Sequence, residues 1–350
     1  MKKFLSLFLS IICVVVPCIT LSSCSVQQKQ KFKAYYFDYF DTATTIIGYE
    51  KTQEEFDVVC EEIKAQLDFY HKQYTIYNSF EGINNLCALN RLQNGVHQKL
   101  VVEDAVIDLL LYCKELYENT DGKLNVAMGS VLKIWHQYRN EGMNDPVKAK
   151  IPPMNKLMEA SEHTDIEKVI IDKENKTVFI SDPEVTLDVG AIAKGYAVEK
   201  VVQHLISKGI TDYCLNVGGN VRTIGSSNGQ PWQVGIENPD TSSDEAYIEL
   251  LNLENKSLVT SGNYQRFYIV DGKNYHHIID PDTLMPCEKF MSVSIITSDS
   301  GYADALSTTL FLMDYEKGLQ LIESTADTEA MWVLPDGTRE YSSGFKSYCK

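Results

Sequence analysis

The chain has 350 residues, enough for one large domain or two small ones around a sizeable core, and its apolar and charged fractions are ordinary for a globular protein. The formal net charge is −16 and the pI is near 4.9, with no basic stripe, which argues against nucleic acid as a partner. An acidic chain that handles an anionic ligand needs a local positive site or a bound cation.

Residues 1–24 read as a targeting segment. Lys2 and Lys3 make a charged start, Phe4 to Val16 an apolar region, and Leu21-Ser22-Ser23-Cys24 looks like a lipobox. A lipidated Cys24 would hold the protein on the outer side of the cytoplasmic membrane, tethered and not spanning it. Residues 25–34 are polar and read as a flexible tether to a folded domain over 35–345, in one lobe or two. Six cysteines follow Cys24 without a C-x-x-C, so zinc and thioredoxin chemistry are disfavoured and buried free thiols are expected.

The spacing predicts a strand over Tyr35–Tyr49, then a core-facing helix through Phe56, Cys60, Ile63 and Leu67. Val106 to Tyr117 forms a second amphipathic helix, and Trp135 lies on a third as a core residue. Asn140 to Met158, with Gly142 and three prolines, reads as a surface excursion or a lid. Val169 to Ile180 reads as a hairpin around Glu174-Asn175. Val185 to Val189 reads as a short strand entering a Gly-rich turn, and Val198, Val201, Val202 and Leu205 mark the helix that follows. Strand, small-residue turn and helix bring bare backbone N–H groups close to an anion, and Lys194 adds a full charge there.

Further strands are expected over Tyr213–Val217, Trp232–Ile236, Tyr247–Leu253, Leu258–Thr260, Met291–Thr297 and Glu329–Leu334. Asp271-Gly272 between apolar alternations is a strong hairpin signal, and it sets His277 and Asp280 at the far end of the returning strand. A helix is predicted over Ala303–Met313. Asp304 and Thr308 share a face of it, which fits a hard-cation site as well as it fits helix capping and back-bonding.

Four stretches in this order resemble the ApbE-type flavin transferases, FAD:protein FMN transferases. They are Thr186-Leu187-Asp188-Val189-Gly190-Ala191-Ile192-Ala193-Lys194-Gly195, Leu215 to Asn220, Tyr275 to Pro281 and Ala303 to Thr309. The likeness spans roughly residues 35–340 and implies an α+β fold of mixed and antiparallel sheets with flanking helices. It departs at Phe40-Asp41-Thr42, where Met-Gly-Thr is more familiar, at Asn125, where Asp is common, and at Leu284, which replaces Gly.

The resemblance implies that FAD is the substrate. Phe40, Tyr77, Lys123, Leu124, Asn125, Asp188, Lys194 and Ile278 would contact it. Asp304, Thr308, Ser307 and the carbonyl of Ala191 would hold Mg²⁺. His277 would act as general base, or else as a structural hydrogen bond orienting Asp280. FMN would pass to a Thr or Ser of a partner, the flavin-acceptor subunit of a membrane electron-transport complex or another extracytoplasmic flavoprotein, with AMP leaving. The partners' acceptor motif, Asp-Gly-x-Ser/Thr-Gly-Ala-Thr, is absent here, so the chain looks like the modifier and not its own substrate. Two rivals remain: a Mg²⁺-dependent FAD pyrophosphatase, if water replaces the hydroxyl, and a non-enzymatic FAD-binding lipoprotein.

Overall fold

The computed structural model describes residues 28–92 and 98–350. Cys24 and the targeting segment therefore lie outside the described residues. The chain begins with a hairpin, β1 (Gln30–Tyr39) and β2 (Thr42–Glu50), followed by α1 (Gln53–Tyr74) and α2 (Leu86–Leu92). Next come β3 (Leu100–Val101), α3 (Asp104–Asn119), α4 (Gly129–Asn144), α5 (Met154–Ser161), β4 (Val169–Asp172) and β5 (Thr177–Ile180). The central part holds α6 (Ala193–Ser207), β6 (Tyr213–Val217), β7 (Asn220–Ile224), β8 (Trp232–Glu237), β9 (Tyr247–Leu253) and β10 (Ser257–Gly262). It ends with β11 (Phe267–Val270), β12 (Lys273–His276), β13 (Ser292–Thr297), α7 (Ser300–Leu312), α8 (Tyr315–Ser324), β14 (Glu329–Val333) and β15 (Arg339–Tyr341).

An eight-stranded sheet in the order β1-β2-β6-β7-β10-β13-β14-β15 is the frame, and every neighbouring pair in it is antiparallel. Alternation assigns its faces. Tyr213, Leu215 and Val217 of β6 meet Phe56, Ile63 and Leu67 of α1 and Val198, Val202 and Leu205 of α6. Val293 and Ile295 of β13 meet Leu306 and Leu310 of α7. On the other face, Cys214, Leu258, Ile296 and Met331 pack under the β8–β9 ribbon through Trp232, Ile236 and Leu251. Each such side chain, once buried, contributes about 1.5–3 kcal/mol. A second body, packed around α3, joins the small sheet β3-β5-β4 to the segment through Val185, Leu187 and Val189.

The fold is the expected α+β arrangement, with local corrections. Tyr35–Tyr49 is two strands, because Phe40 and Asp41 both take positive φ (54° and 51°) and turn the chain as a two-residue hairpin. The expected tether is strand from Gln30 onward, since Lys33 pairs with Ile47 and Ala34 with Ile46. Asn140–Met158 is neither a loop throughout nor a free lid. α4 runs to Asn144, and Gly142 permits close packing on Tyr268, whose ring lies 2.6 Å from where a Cβ would stand. The Tyr268 hydroxyl then donates to the Lys150 carbonyl at 3.1 Å. Val185–Val189 is extended but joins no sheet. The Asn90 side chain pairs with one edge, accepting from Leu187 N–H and donating to Leu187 C=O at 2.8 Å each, while Thr186 bridges to Met128 and Asp188 N–H donates to Val126 C=O at 2.8 Å on the other. β7 was not anticipated after Gly218-Gly219.

The Val169–Ile180 and Asp271-Gly272 hairpins form as read. All six cysteines from Cys60 onward are free thiols, and five are buried. Among the described residues no helix is long and apolar enough to cross a membrane.

Candidate active site

The α6 N-terminus is built by its own sequence. Asp188 Oδ1 accepts the Gly190 N–H at 2.9 Å and shapes the turn, while Val189 C=O receives Ile192 and Ala193 N–H and starts the helix. Gly195 then lets α6 and α7 touch. A Cβ there would lie 2.3 Å from Ser300 O and 2.4 Å from the Asp304 Cβ. The approach allows Gly195 N–H to donate to Asp304 Oδ2 at 2.8 Å. Lys194 donates to Asn220 Oδ1 at 2.6 Å and stands 3.8 Å from Asp304 Oδ1. Asn220 begins the strand after Gly218-Gly219, so the second sequence motif positions the lysine of the first.

Behind this corner a buried ion pair ties the helices together. Arg222 Nε of β7 meets Glu199 Oε2 of α6 at 3.0 Å, and the same oxygen accepts the Ser300 N–H at the start of α7 at 2.9 Å. Asp299 caps α7 by accepting the Tyr302 N–H at 2.8 Å.

A cleft with a cavity volume of about 210 Å³ opens in front of this corner. It brings together eleven of the thirteen residues named from sequence within the folded domain: Tyr77, Lys123, Leu124, Asn125, Asp188 and Ala191, with Lys194, His277, Ile278, Asp304 and Thr308. Phe40 and Ser307 do not line it. Phe40 sits in the β1–β2 turn, edge-on to His71 at 5.4 Å, and its N–H donates to His71 Nδ1 at 3.1 Å. Ser307 flanks the Asp304–Thr308 face of α7. Its fully buried hydroxyl donates back to Asp304 C=O at 2.9 Å and pairs with Ser261 Oγ at 2.8 Å. The hydroxyl of Ser261 also meets Thr308 Oγ1 at 3.1 Å, so Ser307 supports the Thr308 hydroxyl from behind.

Asn125 lines the cleft with a committed side chain. Oδ1 accepts the Ala127 N–H at 2.9 Å and Nδ2 donates to Thr164 C=O at 2.8 Å. Lys123 is held by Asp282 at 2.6 Å and Asp280 at 3.3 Å. His276 and His277 have separate roles. His276 Nδ1 accepts the Ile278 N–H at 3.2 Å, so its Nε2–H donates to Cys287 C=O at 2.8 Å, and this ring is structural. The His277 Nδ1 is buried without a partner, and no hydrogen bond joins His277 to Asp280. Burial, with Arg266, His276 and Arg139 adding to it, pushes His277 down to about 3. The imidazole is therefore neutral near pH 7, and its burial beside the two arginines resists protonation until a negative charge is bound nearby.

The cleft residues not singled out from sequence include His136, Arg139, Ser261, Gln265 and Arg266. His136 Nε2 lies 3.9 Å from Asp188 Oδ2. The signal for His136 and Arg139 was their three-residue spacing on α4 beside the buried Trp135, whose Nε1–H donates to Leu284 C=O at 2.9 Å. Ser261 gave no sequence signal.

The donor set at Asp304 suits a hard cation. Among the described residues Asp304 Oδ1 has no closer partner than Lys194 at 3.8 Å, and the Thr308 hydroxyl and Ala191 share the cleft with it. Among the described residues no group of three or more His, Cys, Asp or Glu could form an all-protein cage. One carboxylate with neutral oxygens, completed by water and substrate phosphate, is the pattern suited to Mg²⁺.

The sequence model of a family described as the ApbE family matches residues 40–332. A FAD:protein FMN transferase of Haemophilus influenzae is 28% identical over 360 residues, covering 99% of this chain and 98% of the relative. One of Treponema pallidum is 32% identical over 274 residues, covering 74% of this chain and 73% of the relative. The crystal structure of an ApbE protein of Thermotoga maritima superposes with a TM-score of 0.79 at 27% identity, covering 92% of this chain and all of that one.

Proposed function

The chain belongs to the ApbE family, and on that premise we propose that it transfers FMN from FAD to a hydroxyl of a protein acceptor. The acceptor Ser or Thr oxygen attacks the FMN phosphorus. The bond from that phosphorus to the bridging oxygen breaks, AMP leaves, and FMN stays on the acceptor as a phosphoester. The hydroxyl proton passes to His277. The observation that carries this reading is a neutral imidazole with a free ring nitrogen in the same cleft as Lys194, Asp304 and Thr308.

The remaining residues divide the work. Lys194, held by Asn220, meets the diphosphate charge, and the α6 N-terminus adds its partial positive charge. Asp304, Thr308 and the Ala191 carbonyl would hold Mg²⁺, which supplies further charge neutralisation when bound. Ile278 and Leu124 give the cleft its apolar wall, and Tyr77 stands exposed at its edge. Cys24 carries the lipid anchor and places the domain on the outer face of the cytoplasmic membrane. The acceptor is then an extracytoplasmic flavoprotein, such as a flavin-bearing subunit of a membrane electron-transport complex.

The test is incubation with FAD and Mg²⁺, with and without a protein bearing an acceptor Thr, following acceptor mass and AMP. FMN mass less water on the acceptor, with AMP dependent on it, supports transfer. Rapid AMP release without acceptor supports the pyrophosphatase instead, and FAD bound unchanged in both supports a carrier.

A further inference from the structure

We propose that Arg139 and Arg266 form a carboxylate-recognition site beside His277, selecting acceptor segments that carry an acidic residue near the modified hydroxyl. The proposal rests on the flavin-transfer reading for its occupant.

Both arginines line the cleft that holds His277. Arg266 precedes β11, and the β11–β12 ladder ends at the pair Phe267↔His276. Arg266 and His277 therefore stand at the next position across the ladder's open end. Arg139 reaches the same place from α4, one turn beyond His136, and the positive charges of both arginines act on His277.

Neither guanidinium has a hydrogen-bond or ion-pair partner among the described residues. That is unusual in a chain where 48 acidic residues face 32 Lys and Arg. Among the described residues, the carboxylate whose charge acts on Arg139 is Asp188. Its Oδ1 is occupied by Gly190 N–H and its Oδ2 faces His136. Two like charges held together at a cleft repel each other, and Arg266 adds to the lowering of Arg139 that burial begins. An anion seated between them would relieve this repulsion.

The FAD diphosphate has its own cationic corner at Lys194 and the Asp304 donor set, on α6 and α7. Arg266 is solvent-exposed on the hairpin that delivers His277, so it faces whatever approaches the base from outside. The approaching molecule is the acceptor. A planar guanidinium fork matches a carboxylate in two parallel hydrogen bonds, and a pair of forks sets its register.

The experiment uses the full-length chain and fluorescent Thr peptides in which one Asp is walked along positions flanking the Thr, each with Asn and Lys counterparts. Anisotropy gives peptide affinity without turnover, and FAD affinity and FMN transfer are measured alongside. One Asp position is expected to bind roughly tenfold or more tighter than Asn. Arg266→Glu and Arg139→Glu should abolish that preference. Arg266→Glu should in turn prefer the Lys peptide. Equal affinity for Asp and Asn peptides at every position overturns the proposal, as does weakened FAD binding with the peptide preference intact. Peptide discrimination without FMN transfer would keep the recognition site and reject the transferase reading.

Discussion

Gly195→Ala separates a packing argument from a propensity argument, because the two predict opposite signs. Gly195 lies inside α6, where Ala is favoured over Gly by about 1 kcal/mol. Propensity alone therefore predicts a more stable protein. The structure predicts the reverse. The new methyl would lie 2.3 Å from Ser300 O and 2.4 Å from the Asp304 Cβ, and neither is the far end of a flexible side chain. α6 and α7 must move apart, at an overpacking cost of about 1–3 kcal/mol or more. Separation also lengthens the 2.8 Å hydrogen bond from Gly195 N–H to Asp304 Oδ2 and re-aims the carboxylate. A melting point about 2–4 °C lower is expected, with Mg²⁺ affinity weakened by roughly tenfold or more. Differential scanning calorimetry and Mg²⁺ titration of FMN transfer read the two effects. A variant that melts at or above the parent temperature with unchanged Mg²⁺ dependence would refute the close-contact reasoning.

Glu199→Ala leaves Arg222 buried without its partner, and a loss of about 3–5 kcal/mol is expected in urea unfolding; a loss under about 1 kcal/mol would contradict the buried pair. Asp304→Ala should abolish turnover and remove Mg²⁺ dependence, and full activity in that variant would sink the metal assignment. Since burial, Arg266 and Arg139 hold His277 down to about 3, the acid limb of kcat/KM should lie well below pH 6.5. The bound diphosphate should move the kcat limb upward, and coincident limbs near 6.5 would contradict the environment described. The same depressed pKa makes the folded state refuse a proton that the unfolded chain accepts. Stability should thus fall as pH drops from about 6.5 toward 3, less so in His277→Asn. Leu284→Gly relieves left-handed strain at φ 61°, worth about 1–2 kcal/mol, but removes a side chain only 7% exposed, worth about 2–5 kcal/mol. Net destabilisation is expected in thermal melts.

Helices with one apolar stripe were legible because periodicity reports burial directly, as in α1 through Phe56, Ile63 and Leu67. The Asp271-Gly272 hairpin was legible because its residues suit positive φ. Phe40-Asp41 performs the same turn with a residue that signals nothing of the kind, so two strands read as one. Gly142 misled in the other direction, reading as a breaker where it is a seat for Tyr268. In the cleft, motif residues were found and their partners were not. Ser261 and Arg266 come from strand ends that meet the site only in three dimensions. Ser307 stands beside Asp304 and Thr308 but outside the cleft lining, because its hydroxyl is taken by the Asp304 carbonyl and by Ser261, partners that no sequence pattern shows.

The corner that joins α6 to α7 has a consequence for when the protein becomes competent. Gly195 and Asp304 are 109 residues apart, and Lys123 and Asp280 are 157 apart. No contiguous half of the chain contains the flavin cleft. A polypeptide emerging from synthesis carries isolated helices and hairpins but no place for FAD. The cleft closes only after β13 and α7 have docked near the end of the chain. Competence toward FAD therefore comes late in folding, and a half-made chain has no cleft in which to hold it.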